Sequence, residues 1–237
     1  MGCCATSRSL RHPTLSSPEE TAILYQETQL GCSVWQVSKA LEVLDRHSQA
    51  GVLTIMQLRD FSRELKVDLS SEFESSKEAF MRYFRGQKVG FDGFKLAVLL
   101  VLLCKGSIWE KAGGLFTHCP SYQDDHIASQ DIALALTTLL ELSIDVLPSL
   151  AAAEHPVKGQ SMVPDMVQQY QARLNRRRIP VWRRLYVGLV LTNTQLTSQE
   201  FTARMGETVE EGELLSSQGV RELLYVDSSV RTMRLLQ

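Results

Sequence analysis

The stretch HIASQDIALALTTLLE, residues 126–141, contains the pattern that decides the fold. A single β-preferring residue, Ile127, is followed after a short polar step by Ile132, which begins an apolar spacing typical of a helix. The segment before it, SIWEKAGGLF (residues 107–116), has a helical apolar spacing of its own. The stretch therefore predicts a helix, a turn with one strand-like residue, and a second helix.

The same pattern recurs in VLTIMQLRDF (52–61), KVGFDGFKLA (88–97) and QLTSQEFTAR (195–204). In each segment a strand-like anchor precedes, by five positions, the apolar residue that begins the helical spacing. The anchors are Leu53, Val89, Ile127 and Leu196, and the residues five positions later are Leu58, Phe94, Ile132 and Phe201. A repeat of this kind predicts one supersecondary unit used four times.

The spacing between anchors is regular except before the last unit. Leu53 and Val89 are 36 residues apart, Val89 and Ile127 are 38 apart, and Ile127 and Leu196 are 69 apart. The surplus lies in a segment at about 143–179, where several prolines and Gly159 predict a loop with a short helix near residues 166–174. Pro180 is then expected to begin the next helix.

This helix–turn–helix unit resembles the EF-hand, and residues 107–141 resemble the third hand of calcineurin B and neuronal calcium sensor proteins. The resemblance implies an all-α fold of four EF-hand-like units in two pairs, joined by minimal two-stranded β bridges. Leu53 would pair with Val89, and Ile127 with Leu196. The expected organisation is a flexible acylated arm (1–16), a first pair (17–105), a second pair (106–206) with the insertion, and a C-terminal tail with an amphipathic helix (207–237).

A calcium loop needs several oxygen ligands and a bidentate carboxylate at its twelfth position. Aligning each loop on its anchor places few acids at the ligand positions. These positions hold Arg46, Ser48, Ala50 and Gln57 in the first unit, Arg82, Phe84, Gly86 and Gly93 in the second, Pro120, Tyr122, Asp124 and Asp131 in the third, and Leu189, Leu191, Asn193 and Glu200 in the fourth. We therefore predict no metal and no cofactor, with Asp124, Asp131 and Glu200 as weak metal candidates. Thr54 with Gln57 and Thr197 with Glu200 also fit capping boxes. Helix capping therefore explains Glu200 without a metal.

Other chemistry-bearing patterns are weak. HCPSYQDDH (118–126) matches no metal motif by its spacing and is interpreted as a degenerate third loop with surface histidines. The sequence has no nucleophile–base signature and no GxxxxGK phosphate loop, so we predict that the chain is not an enzyme. A net charge of −2 and the lack of a reading motif argue against nucleic-acid binding.

Two segments point to a membrane. The first is a basic patch with interleaved aromatic residues, formed by Arg173, Arg176, Arg177, Arg178, Arg183 and Arg184. It can be a solvated helix face or a face attracted to anionic lipid. The second is the opening MGCCATSRS, in which Gly2 with Thr6 fits N-myristoylation and Cys3 and Cys4 are adjacent palmitoylation sites.

The folded part is expected to begin at Ser17, which precedes Pro18 and two acids as a helix N-cap does. Five scattered cysteines without a secretory signal indicate a reducing, intracellular setting. The longest apolar run, FKLAVLLVLLC (94–104), is too short to span a bilayer and predicts a buried helix. We therefore expect the chain at the cytoplasmic face of a plasma, ciliary or endomembrane.

The leading functional prediction is a membrane-anchored, calcium-independent adaptor or scaffold. It would bind a helix of a partner protein in the apolar groove that the family resemblance implies. The C-terminal tail, with its helical apolar spacing, could instead fill that groove itself. One alternative is a calcium- or magnesium-responsive regulatory subunit of a kinase or phosphatase. A second alternative is a structural subunit of a larger ciliary or cytoskeletal complex.

Overall fold

A computed structural model describes residues 17–67, 69, 75–86, 90–190, 195–208 and 215–225, and the described chain is mostly helical. Its first half contains α1 Pro18–Gln29, a 3-10 turn Cys32–Val34, α2 Val37–His47, β1 Val52–Leu53, α3 Ile55–Leu65, α4 Ser75–Phe84, β2 Phe91–Asp92 and α5 Gly93–Leu103. Its second half contains α6 Ile108–Thr117, β3 His126–Ala128, α7 Ser129–Glu141, a π-turn Leu142–Val146, α8 Leu147–Ser149, α9 Pro164–Val190, β4 Gln195–Thr197, α10 Ser198–Thr208 and α11 Ser217–Tyr225.

The short strands join four helix–strand–helix units in two pairs. β1 lies antiparallel to β2, and β3 lies antiparallel to β4. In the second pair Ile127 lies opposite Leu196, the two anchors named from the sequence. The all-α class with minimal two-stranded bridges is therefore what the described residues show.

The first bridge corrects the predicted register. Leu53 lies opposite Phe91 and not opposite Val89, which is outside the described residues. The reason lies in the residue that follows the anchor. Asp92 accepts a hydrogen bond from the backbone N–H of Lys95 at 3.1 Å and so caps α5. Had Val89 been the anchor, Gly90 would stand at that capping position without a side chain.

The insertion also differs from its prediction. α9 is one continuous helix, so Pro180 lies inside it and does not begin a new one. Proline removes a helical hydrogen bond, here to the carbonyl of Arg176. Pro180 and Arg176 are both exposed, so water can satisfy that carbonyl. The helical period is maintained on the opposite side by the buried residues Val167, Tyr170, Leu174, Val181, Leu185 and Leu189.

The core is one apolar cluster that runs through both pairs of units. α5 is its centre, because nearly all its side chains are buried and it contacts α2, α6 and α7. A helix that is apolar all round must be covered by other elements. The helical stretch Ser129–Ser149 is also long and apolar enough to cross a membrane, but 67% of its most apolar window is buried inside the fold.

A buried ion network ties the N-terminal helix to the C-terminal one. The guanidinium of Arg221 in α11 has no exposed surface and donates to Glu20 at 2.6 Å and to Glu27 at 2.7 Å, both in α1. Tyr170 of α9 donates its hydroxyl to Glu20 at 2.5 Å, and Ser217 donates to Glu27 at 2.8 Å. Three helices that are distant in sequence therefore meet at one charged cluster.

The charges in this cluster depend on one another. Burial alone would lower the pKa of Arg221, but the carboxylates of Glu27 and Glu20 outweigh burial and raise it above its ordinary value. Burial and the neighbouring Glu20 carboxylate raise the pKa of Tyr170, which therefore stays a hydrogen-bond donor. The guanidinium and the hydroxyls are thus the partners that keep two buried carboxylates satisfied.

α11 therefore lies in a trough, by which we mean the surface formed by α1, the π-turn, the end of α7 and α9. Val220 and Leu224 of α11 are buried there, and Leu215 precedes them in the same core. The described part of the C-terminal tail is thus packed against its own chain. Residues 226–237 lie outside the described part.

We predict that Arg221→Ala destabilises the protein strongly. The substitution leaves Glu20 and Glu27 buried without their cation, and breaking a buried pair in this way costs about 3–5 kcal/mol. Urea unfolding followed by circular dichroism measures this cost.

The matched control is Glu222→Ala, on the half-exposed side of the same helix. It should change the free energy of unfolding by no more than about 0.5 kcal/mol. A loss below about 1 kcal/mol for Arg221→Ala would show that α11 is not held by this network.

Candidate functional site

The loops of the four units are the first candidate site, and their geometry is regular. In every unit a helix begins two residues after the bridge residue, at Ile55, Gly93, Ser129 and Ser198. The residue four positions after the bridge residue is called here the fourth position. It is the position at which an EF-hand places its bidentate carboxylate. Its occupants are Gln57, Lys95, Asp131 and Glu200.

In the first unit the fourth position closes a capping box. The side-chain carbonyl of Gln57 accepts from the backbone N–H of Thr54 at 2.8 Å, and the Thr54 hydroxyl accepts from the Gln57 N–H at 3.3 Å. Gly51 lies in the left-handed region at φ 74°, and its carbonyl accepts from the N–H of Gly93 at 2.8 Å. The loop is thus closed by the chain's own backbone, and Gln57 supplies no charge for a cation.

The fourth unit uses the same device with a carboxylate. Glu200 accepts from the backbone N–H of Thr197 at 3.0 Å and from its hydroxyl at 3.1 Å. These hydrogen bonds, the backbone one first, hold the pKa of Glu200 below its ordinary value. The capping interpretation of Thr54–Gln57 and Thr197–Glu200 is therefore confirmed.

The second unit has a cation of its own at the fourth position. Since Phe91 is the bridge residue, the residue at that position is Lys95, and the alignment that placed Gly93 there is wrong. The Lys95 ammonium donates to the carbonyl of Tyr83 at 2.9 Å and lies 4.3 Å from the centre of the Tyr83 ring. A positive side chain at this position repels a dication.

In the third unit Asp131 accepts hydrogen bonds from Ser121, near the start of the loop. Its buried carboxylate accepts from the backbone N–H of Ser121 at 3.1 Å and also from the Ser121 hydroxyl. The Ser121 oxygen in turn accepts from the N–H of Ala128 at 3.2 Å. Asp124 is exposed in a left-handed turn at φ 48°. Among the described residues no group of three or more His, Cys, Asp or Glu side chains could hold a metal ion.

The remaining side chains of HCPSYQDDH have separate surroundings. His118 lies 3.1 Å from the Asp45 carboxylate and 2.8 Å from the Gly114 carbonyl, whereas His126 lies 2.7 Å from the Asp124 carbonyl. Cys119 is buried and donates to the carbonyl of Leu115. Burial raises its pKa to about 12, so the thiol is not ionised near neutrality.

The basic patch on α9 divides into two groups. Arg173 pairs with Glu19 at 2.7 Å, and Arg178 pairs with Asp145 at 2.9 Å and with Glu141 at 3.2 Å. Arg177 and Arg184 also interact within the chain. Arg176 and Arg183 are exposed and, within the described part of the chain, make no ion pair. The patch is therefore partly internal structure and partly outward-facing charge.

Two features escaped the sequence reasoning, and one group of residues stays untested. Arg221 was not singled out from the sequence, because an apolar helical spacing in the tail does not show that its arginine pairs with α1. Glu20 and Glu27 lie seven residues apart and therefore on one face of α1. This spacing does not identify the residue that pairs with them. The predicted acylation sites Gly2, Cys3 and Cys4 lie outside the described residues and stay predictions.

Comparisons with known proteins identify no relative of this chain. No protein-family model, no curated protein and no solved structure matches the chain.

We predict that Glu200 acts as a cap and not as a metal ligand. Glu200→Ala should lower the melting temperature by about 2–4 °C, as loss of a helix cap does in a chain of this size. Glu200→Gln should retain most of the stability, because Gln57 closes the equivalent cap in the first unit. Both differences should be the same in calcium and in chelator.

The charge of Glu200 adds a pH dependence. Its folded pKa is lowered, so its contribution is present above the unfolded pKa of about 4.3 and is lost as the pH falls through the folded value. The difference between wild type and Glu200→Gln should shrink over that range. A calcium-dependent rise in melting temperature that Glu200→Gln abolishes would contradict the capping role.

Proposed function

We propose that the chain is a membrane-anchored, calcium-independent adaptor built from EF-hand-like units, and that it binds a helix of a partner protein. One observation carries the proposal. In each of the four units, the side chain at the fourth position makes a hydrogen bond within the protein, at the place where an EF-hand would hold calcium. The units therefore act as a scaffold and not as a calcium sensor.

The EF-hand-like character is supported by recurrence. Each bridge residue is followed one position later by the helix N-cap and five positions later by a buried apolar residue: Leu58, Leu96, Ile132 and Phe201. The antiparallel bridges join the units in pairs, as the resemblance implies. The register holds in the second unit only when Phe91 replaces Val89.

Membrane anchoring is supported by the sequence of residues 1–16 and by where the fold begins. Ser17 caps α1 by accepting from the N–H of Glu20 at 3.1 Å. The acylation pattern at Gly2, Cys3 and Cys4 thus precedes α1 in the sequence. One myristoyl chain binds a bilayer only marginally, and a palmitoyl chain on Cys3 or Cys4 would make attachment lasting.

The trough is the proposed partner groove. Its own occupant, α11, is a helix of nine residues that presents apolar side chains and one arginine. A partner helix that replaces α11 must satisfy the same carboxylates, because Glu20 and Glu27 would otherwise lose their cation. The partner therefore carries a basic residue on the apolar face of an amphipathic helix.

Fractionation of cells that express the full chain tests the anchor and the calcium independence together. Wild type should sediment with membranes equally in calcium and in chelator, and Gly2→Ala should move to the soluble fraction. Cys3→Ser with Cys4→Ser should bind weakly and reversibly, since one acyl chain remains. Intact mass with and without hydroxylamine identifies the acyl groups.

Two results would replace this function by an alternative. A calcium-driven change in distribution favours the responsive regulatory subunit. A Gly2→Ala chain that stays in a detergent-insoluble pellet favours the structural subunit of a ciliary or cytoskeletal assembly.

A labelled synthetic peptide of residues 215–225 tests the trough. It should bind weakly to the full-length wild-type chain, whose own α11 competes for the site. It should bind at least about tenfold more tightly to full-length Arg221→Ala, in which that helix is loosened.

The matched control peptide carries Ala in place of Arg221 and should bind neither chain. Circular dichroism confirms that the Arg221→Ala chain is folded at the temperature of the titration. Equal binding of both peptides would contradict a groove that selects a cation.

A further inference from the structure

The outward-facing part of α9 is a stripe that the functional proposal does not use. Arg176, Ile179, Arg183 and Val187 lie at successive spacings of three, four and four residues, so they share one face of the helix. Ile179 is 61% exposed and Val187 is 62% exposed. Large apolar side chains at this exposure, on one helix face with arginines, suit a boundary between water and lipid.

The charge around the stripe has a single sign. Residues 166–190 contain six arginines and no acid, and acids of other elements pair with Arg173 and Arg178 at the sides of the helix. Arg176 and Arg183 make no ion pair with any described residue. Their charge is therefore available to an anionic surface.

The stripe lies near the point where residues 1–16 join the fold. Glu19, in the first turn of α1, pairs with Arg173, which is one helical turn from Arg176. From Arg176 to Val187 the stripe extends about 16 Å along the helix. An extended segment of sixteen residues reaches at most about 50 Å, more than enough for acyl groups near residue 2 to share a bilayer with the stripe.

We propose that this face of α9 lies on the cytoplasmic leaflet and binds anionic phospholipid, with Ile179 and Val187 in the headgroup region and Arg176 and Arg183 against phosphates. The inference rests on the proposed membrane anchoring and adds a second, reversible contact that orients the scaffold. Nucleic acid is the competing anion. It would have no use for the exposed Ile179 and Val187, and the ring of Trp182 already stacks on that of Tyr186, with the ring centres 4.9 Å apart.

The full chain carrying Gly2→Ala tests this contact without the myristoyl anchor. We expect it to co-sediment with vesicles of phosphatidylcholine and about one third phosphatidylserine, and not with phosphatidylcholine alone. Adding Arg176→Gln and Arg183→Gln should weaken this binding by about 30-fold. Ile179→Ser with Val187→Ser should weaken it about tenfold or more while leaving every charge in place.

The matched control replaces two exposed arginines of α3, Arg59→Gln and Arg63→Gln, and should bind vesicles as the parent does. An equal loss in the control, or no loss in the α9 variants, overturns the inference. So does tighter binding to single-stranded nucleic acid that the serine variants do not change.

Failure of this inference is separable from failure of the proposed function. An acylated, membrane-bound wild type whose Gly2→Ala chain ignores anionic vesicles refutes the α9 contact alone. If the Gly2→Ala chain binds vesicles through α9 but the wild-type protein isolated from cells carries no acyl group, the anchor alone is refuted.

Discussion

The buried contact of Arg221 with Glu20 and Glu27 is the interaction on which the packing of α11 against α1 depends. Two carboxylates and a guanidinium are costly to remove from water, and their mutual contacts, the hydroxyls of Tyr170 and Ser217 and the carbonyl of Ser143 offset that cost. The network requires α1, α9 and α11 in one relative position. Apolar packing alone would tolerate several ways of laying a nine-residue helix in the trough, but this network specifies one.

The four loops are each tied to the start of the following helix by groups of the chain itself. A calcium ion in an EF-hand joins the loop to the start of the following helix through the carboxylate at its twelfth position. Here that junction is made by capping in the first and fourth units, by a lysine on a carbonyl in the second, and by Ser121 on Asp131 in the third. Three different chemistries accompany the same helix start, which is the result expected if packing within the chain maintains the unit.

The sequence predicted the parts of the fold that depend on neighbouring residues. Short sequence patterns predict the helix starts at Ser17 and Thr197 and the bridge residue Ile127. The bridge at Phe91 was missed because KVGFDGFKLA offers two anchors two residues apart, and only the capping role of Asp92 separates them. Arg221 was missed because its partners lie about two hundred residues away, a distance at which no periodicity carries information.

The α1 helix joins the proposed lipid contact to the proposed partner groove. Glu19 reaches Arg173 beside the outward-facing stripe, and the next residue, Glu20, reaches Arg221 in the trough. A partner helix that replaces α11 must supply a cation to the same helix that positions the membrane face. The buried side of α1 consists of two apolar residues, Ala22 and Ile23, and of the two carboxylates Glu20 and Glu27. If both proposals hold, the occupant of the trough and the orientation of the scaffold on a membrane are linked through one helix.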